Sequence, residues 1–176
     1  MPQETMTPRE RWQAVLTRAK PDRLPTDYWT TDEAHDQLCR HLGVSNDREL
    51  YRRLHIDRPF SVSPRYVGPP IPDDKDVYGI TYRMMDYGSG AYREVAEHPL
   101  ARYASVEEIE ANYQWPDPDW WDYSDLPRQI AGHAMDPIRG GGSEPFLTYK
   151  SLRGMEQAYM DLVLNPEMVH YCLDKL

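Results

Sequence analysis

Three glycines in a row, Gly140, Gly141 and Gly142, lie between a very short strand candidate and a long helical pattern. Glycine there lets backbone approach a ligand closely, or simply makes a flexible turn. Glu144 and Tyr149 follow, and they offer an acid and a hydroxyl to such a ligand, or a cap and a packed ring. Arg65 stands on the polar side of an earlier strand candidate, near its C-terminal end, where a guanidinium suits a carboxylate or phosphate. Trp29 closes the first strand candidate and would supply an apolar wall. No catalytic motif is complete: there is no Gly-x-Ser-x-Gly, no phosphate loop and no His-Glu-x-x-His. Asp117, Asp119, Asp122 and Asp125 imitate a calcium loop but lack its central Gly and final Glu. His35 and Cys39 make one i, i+4 pair, too little for zinc, and no metal site is read. His41, His133 and His170 read as solvated or core residues, and Cys172 as packed core.

Composition narrows the partners. The chain has 176 residues and a formal charge of −9. Residues 1–60 hold ten basic and ten acidic groups, so the excess lies entirely in 61–176. Such a surface repels phosphate backbones and argues against nucleic acid. No apolar run reaches the ~18 residues of a membrane span. The opening Met1-Pro2-Gln3-Glu4-Thr5 lacks the basic start and apolar stretch of a signal peptide. Two cysteines build no disulfide framework, so a cytoplasmic setting is expected.

The elements that must hold those residues alternate. Thr7, Pro8 and Glu10 read as a capping box opening a helix through Ala19, and Leu24 to Thr30 as a first strand. Thr31 to Leu42 reads as a helix with Gly43 as its C-cap, and Asn46 with Glu49 opens a short one. Phe60 to Tyr66 alternates as a strand that Pro64 weakens. Residues 77–97 read as an inserted hairpin around Tyr87-Gly88-Ser89-Gly90, whose glycines are turn signals rather than a dinucleotide fingerprint. Ser105 with Glu108 makes a third capping box, followed by a proline-broken loop from Trp115 to Tyr123. Leu126, Ile130 and Ala134 suggest another helix, and Pro137 to Gly142 a short strand. The closing helices carry the stripe Val169, Cys172, Leu173 and Leu176. The sequence stops on that stripe, which predicts an interrupted β/α barrel and self-association through exposed barrel edges and the stripe itself.

In this order the elements resemble a known family. Thr7-Pro8-Arg9-Glu10-Arg11 with Lys20-Pro21-Asp22-Arg23-Leu24-Pro25 is similar to the opening of the uroporphyrinogen decarboxylase superfamily. Gly140-Gly141-Gly142-Ser143-Glu144-Pro145-Phe146 resembles its Gly-Gly-Pro-Phe strand end, and Leu152-Arg153-Gly154-Met155-Glu156 and Leu164-Asn165-Pro166-Glu167 also fit. The resemblance implies an α/β fold: residues 1–176 as one incomplete domain, the N-terminal half of a (β/α)8 TIM-type barrel, with its C-terminal half absent. A whole barrel needs eight strands and ~250 residues. Family members decarboxylate uroporphyrinogen without a cofactor, or transfer methyl groups between corrinoids and thiols using zinc. The zinc ligands belong to the missing half, so no cofactor is expected within this chain.

Departures weigh between the branches. The arginine-rich segment of true decarboxylases corresponds here to Tyr28-Trp29-Thr30-Thr31-Asp32-Glu33-Ala34-His35, without arginine. Their second-strand aspartate corresponds to the Ser63-Pro64-Arg65 region, and their active-site tyrosine to Ser151, with Tyr149 two residues earlier. Methyl transfer from a corrinoid or similar donor is therefore the preferred activity. Trp29, Arg65, Gly140, Gly141, Gly142, Glu144 and Tyr149 would line the pocket. Decarboxylation of uroporphyrinogen or a smaller carboxylate is the alternative, and a truncated, non-catalytic half-barrel is the second.

Overall fold

The structure, a computed structural model, describes residues 4–142 and 144–176. Ser143 of the glycine-rich motif and Met1 to Gln3 lie outside the described residues. The fold is mixed α/β, and the chain divides into two compact units. The first comprises Met1–Arg65 and Asp122–Gly141, and the second Tyr66–Trp121 and Gly142–Leu176. Among the described residues, no helix is long and apolar enough to cross a membrane.

The first unit contains helices α1 (Pro8–Leu16), α2 (Asp32–Leu42) and α3 (Asp47–Arg53), strand β1 (Phe60–Val62), the outer residues of β2 (Arg65–Tyr66) and β5 (Trp121–Asp122), helix α5 (Leu126–Ile130) and strand β6 (Ile138–Gly140). The capping box at Thr7 is complete: Glu10 N–H donates to the Thr7 hydroxyl, and the Glu10 carboxylate accepts from Thr7 N–H. Gly43 ends α2 in the left-handed region at φ 65°. At Asn46 only half the expected box forms, because Glu49 reaches past the cap to Ser45 N–H.

Charge fills much of this unit's interior. Arg11 and Asp57 are both buried. Arg11 donates to Asp22 and Asp57, while Arg23 donates to Asp57 and Glu4. Asp57 also accepts from Thr26 N–H, and its own N–H donates to the Thr26 carbonyl. This corrects the strand expected at Leu24–Thr30: that backbone is held by Asp57, Pro25 lacks a donor, and no ladder forms.

The second unit contains β3 (Thr81–Asp86) and β4 (Ala91–Glu97), helix α4 (Val106–Asn112), a 3-10 turn at Pro118–Trp120, and helices α6 (Pro145–Arg153), α7 (Met155–Leu164) and α8 (Pro166–Asp174). The hairpin expected over 77–97 forms as an antiparallel pair, Tyr82 opposite Val95 and Asp86 opposite Ala91. Gly88, at φ 87°, carries its turn, and Gly88 N–H donates to Asp86. Ser105 caps α4 through Glu108 N–H, while the Glu108 carboxylate goes to Ala104 N–H. The long pattern after the glycines breaks at Gly154, whose φ of 92° separates α6 from α7.

This unit has an apolar core of Ile80, Leu100, Ile109, Leu152, Ala158, Met168, Val169 and Cys172, with Leu173 and Leu176 packed on it. The stripe that predicted self-association is therefore covered by the unit's own core, which corrects that basis for association.

Candidate strand-end site

β1 and β6 are parallel, with Phe60 opposite Ile138, Ser61 opposite Arg139 and Val62 opposite Gly140. Phe60 and Val62 turn inward while Ser61 faces out, as the two-residue period of a strand requires. Both strands end together, so Ser63 and Gly141 leave the pair side by side in register. Ligands of β/α folds sit at such C-terminal strand ends.

Side chains fix the exits. Gln129 of α5 clamps Ser63 in place of a third strand: its carbonyl accepts from Ser63 N–H at 3.2 Å, and its amide donates to the Ser63 carbonyl at 2.9 Å. Pro64 then separates β1 from β2. Arg65 donates to the Asp122 carboxylate at 2.8 Å, with 73% of its side chain exposed. The hydroxyl and N–H of Ser124, and then Arg65, lower the Asp122 carboxyl to about 2. Arg65 is largely exposed to high-dielectric solvent, so its pairing with Asp122 is weak. Arg139, beside Ser61, donates to that hydroxyl at 3.3 Å and has no carboxylate partner among the described residues. Sequence reading missed Arg139. The signal was available in the alternation of Ile138, Arg139 and Gly140, which puts the arginine outward beside the glycines.

The glycines differ. A Cβ at Gly140 would meet Val62 at 3.8 Å, an ordinary contact, whereas Gly141 holds φ 69°. Gly141 and Gly142, the latter at φ 145°, hold backbone conformations that call for glycine, and Gly140 does not.

The remaining expected site residues are placed as follows. Trp29 lies in the irregular stretch before α2, 97% exposed, away from any ring contact among the described residues. Gly142, Glu144 and Tyr149 belong to the second unit. Glu144 precedes α6 without a side-chain cap bond. Tyr149 is fully buried and donates to Asp161 at 2.7 Å; burial and that carboxylate both raise its hydroxyl pKa. Of the seven, register joins Gly140 and Gly141 to the exit that leads to Arg65.

A second polar cluster forms where the sequence suggested only an isolated pair. His35 Nε2 lies 3.5 Å from Cys39 Sγ and 3.2 Å from Asp47, and its Nδ1 lies 3.3 Å from the Tyr28 hydroxyl. Thiol and carboxylate share one ring nitrogen, so the acid cannot orient the imidazole from the far side as a nucleophilic triad requires. Among the described residues, no group of three or more His, Cys, Asp or Glu side chains is placed to hold a metal ion.

Compared with protein families, curated proteins and solved structures, the chain matches none. The functional reading therefore rests on the residues themselves. Exposed guanidinium groups such as those of Arg65 and Arg139 can each bind an anionic group. Among the described residues, the strand end shows no acid–base pair or activated thiol of its own.

Proposed function

We propose that this chain supplies the substrate-binding rim of an enzyme of the uroporphyrinogen decarboxylase type, built as the N-terminal half of a (β/α)8 barrel. The preferred reaction is methyl transfer involving a corrinoid or similar methyl donor. The supporting observation is the parallel β1–β6 pair, whose C-terminal end carries Gly140 and Gly141 beside the exit to Arg65. In this role Arg65 and Arg139 hold an anionic group of the substrate, and the Gly141 backbone allows it to come close. The described residues do not provide a zinc site, so no thiolate activation is assigned to this chain.

Equilibrium dialysis of the chain against methylcobalamin tests the rim. Retention that weakens at least tenfold in Arg65→Ala supports it. No retention by the wild-type chain rejects it. Decarboxylation of a carboxylate substrate is the second reading, favoured by Arg139, whose guanidinium has no carboxylate partner among the described residues. Release of carbon dioxide from uroporphyrinogen or a smaller acid would establish it.

A further inference from the structure

A cleft opens in the second unit beside the proline-rich connector at residues 69–72. Its cavity of about 260 Å³ is lined by Tyr66, Tyr78, Tyr113 and Trp120, with Lys75 and Asp76 as its charged groups. All six belong to that unit. The Tyr66 and Trp120 rings meet edge to face, 6.4 Å apart. Gly68 permits this, because a Cβ there would stand 2.7 Å from the Trp120 ring. The Tyr66 hydroxyl donates to the Pro69 carbonyl at 2.8 Å, and the Tyr113 hydroxyl to the Tyr78 carbonyl at 2.7 Å. Both phenols have given their proton to backbone, so what they offer a ligand is chiefly ring surface. The face of an aromatic ring attracts cations. Asp76 adds a carboxylate. Its Oδ1 accepts from the N–H groups of Tyr78 and Ile80 and its Oδ2 from the Tyr82 hydroxyl, and it has no cationic partner among the described residues. Its charge is felt at the walls: burial first, and then the Asp76 carboxylate, pushes up the hydroxyls of Tyr78 and Tyr113. The second unit as a whole holds sixteen acidic and seven basic groups, which is the entire formal −9 of the chain.

We infer that this cleft is a binding site for a small organic cation, a methylated ammonium of about choline size, held against the aromatic walls and drawn in by Asp76. The cavity lies just below the roughly 300–1,000 Å³ of sites for drug-sized ligands, which suits a compact head group. Aromatic walls favour a methylated head over a bare ammonium, because its charge is spread behind an apolar surface that surrenders little hydrogen bonding to water. The field of an acidic unit draws cations and repels anions. Lys75 opposes this. Its ammonium is exposed and solvent screens it, so it weakens the site without closing it. Its position also fixes the sign of a test, since Lys75 disfavours a cation and would favour an anion. The cleft lies within the second unit alone, and the inference is independent of the proposed reaction.

Titration of the isotope-labelled full chain with choline chloride, read through the indole N–H signals in two-dimensional NMR, tests the site. Trp120→Phe assigns the Trp120 signal, and sodium chloride at equal ionic strength is the blank. Choline is expected to shift that signal with a Kd in the millimolar range. Neohexyl alcohol, its uncharged carbon isostere, should bind about tenfold more weakly. Asp76→Asn should weaken choline about fivefold, and Lys75→Ala should tighten it about twofold with an unchanged thermal melt. Should Asp76→Asn fail to fold, the isostere comparison on the wild-type chain and the Lys75→Ala titration still decide. A Trp120 signal that choline leaves unmoved into the tens of millimolar overturns the inference, as does equal binding of the neutral isostere. Benzoate that binds more tightly than choline, and is lost in Lys75→Ala, overturns it in favour of an anion site.

Discussion

Replacing Asp161 with Asn keeps the shape of the side chain and removes the charge that Arg153 faces. Both groups are buried, with side-chain exposures of 1% and 5%. Breaking a buried pair from one side costs about 3–5 kcal/mol, because the remaining ion has no counter-charge. Here Arg153 keeps the carbonyls of Leu100 and Tyr103, so the lower end, about 3 kcal/mol, applies. For a chain of this size that corresponds to a fall of roughly 6–12 °C in Tm. Urea unfolding followed by far-ultraviolet circular dichroism at neutral pH measures it, with an unchanged m-value expected. Arg153→Met and the double variant complete a thermodynamic cycle, and the coupling energy should be about 2 kcal/mol. An Asp161→Asn variant within about 1 kcal/mol of wild type, or a coupling near zero, would refute the claim that this pair holds α6 and α7 together.

The other predictions concern acid, crowding and backbone. Burial raises the Asp161 carboxyl, but the hydrogen bonds from Arg153, Tyr149 and Gln157 outweigh it and set it below its ordinary 3.8; the Arg11 hydrogen bond, with the N–H groups of Met6, Thr5 and Arg23, does the same for Asp22 against its own desolvation. Both contributions are therefore complete above pH 3.8 and lost as the pH falls below it, so a stability profile should drop on that acid side, and Asp161→Asn should flatten it. Gly68→Ala places a Cβ 2.6 Å from the Tyr66 hydroxyl and 2.7 Å from the Trp120 ring, and should cost about 1–3 kcal/mol with a change in tryptophan emission. Gly141→Ala should cost about 1–2 kcal/mol from its left-handed backbone, while Gly140→Ala should melt close to wild type; equal losses at the two positions would contradict the strand-end geometry.

Local signals were readable wherever one residue decides the outcome. Thr7 with Glu10, Gly43 after α2 and the Gly88 turn each formed as their chemistry dictates. The reading weakened where a distant partner competes. Leu24 to Thr30 has strand-like residues, yet Asp57, about thirty positions later, takes its hydrogen bonds. The closing stripe of Val169 and Cys172 was legible as apolar, but its coverage depends on α4, α6 and α7, which no local pattern reports. The face that α7 buries, with Ala158 and Asp161, was hidden for the same reason, since it follows from an ion pair spanning the Gly154 break. At the candidate site, Arg65 and the glycines were visible by type, and the parallel register that relates their exits was not.

The order in which the strands leave the ribosome has a consequence of its own. Phe60 pairs with Ile138, so β1 waits 138 − 60 = 78 residues for its partner. At about 5–20 residues per second, β1 would stand as an unpaired edge for roughly 4–16 s of synthesis. The hairpin, by contrast, closes across the few residues between Asp86 and Ala91 and completes almost as soon as it emerges. Pro64 and the short length of β1 limit what an edge of three residues can recruit during that interval. Slowing synthesis before residue 138, by rare codons placed after the hairpin, should therefore lengthen the vulnerable interval of the first unit while leaving the hairpin untouched, and nascent-chain proteolysis would reveal it as cleavage near Phe60.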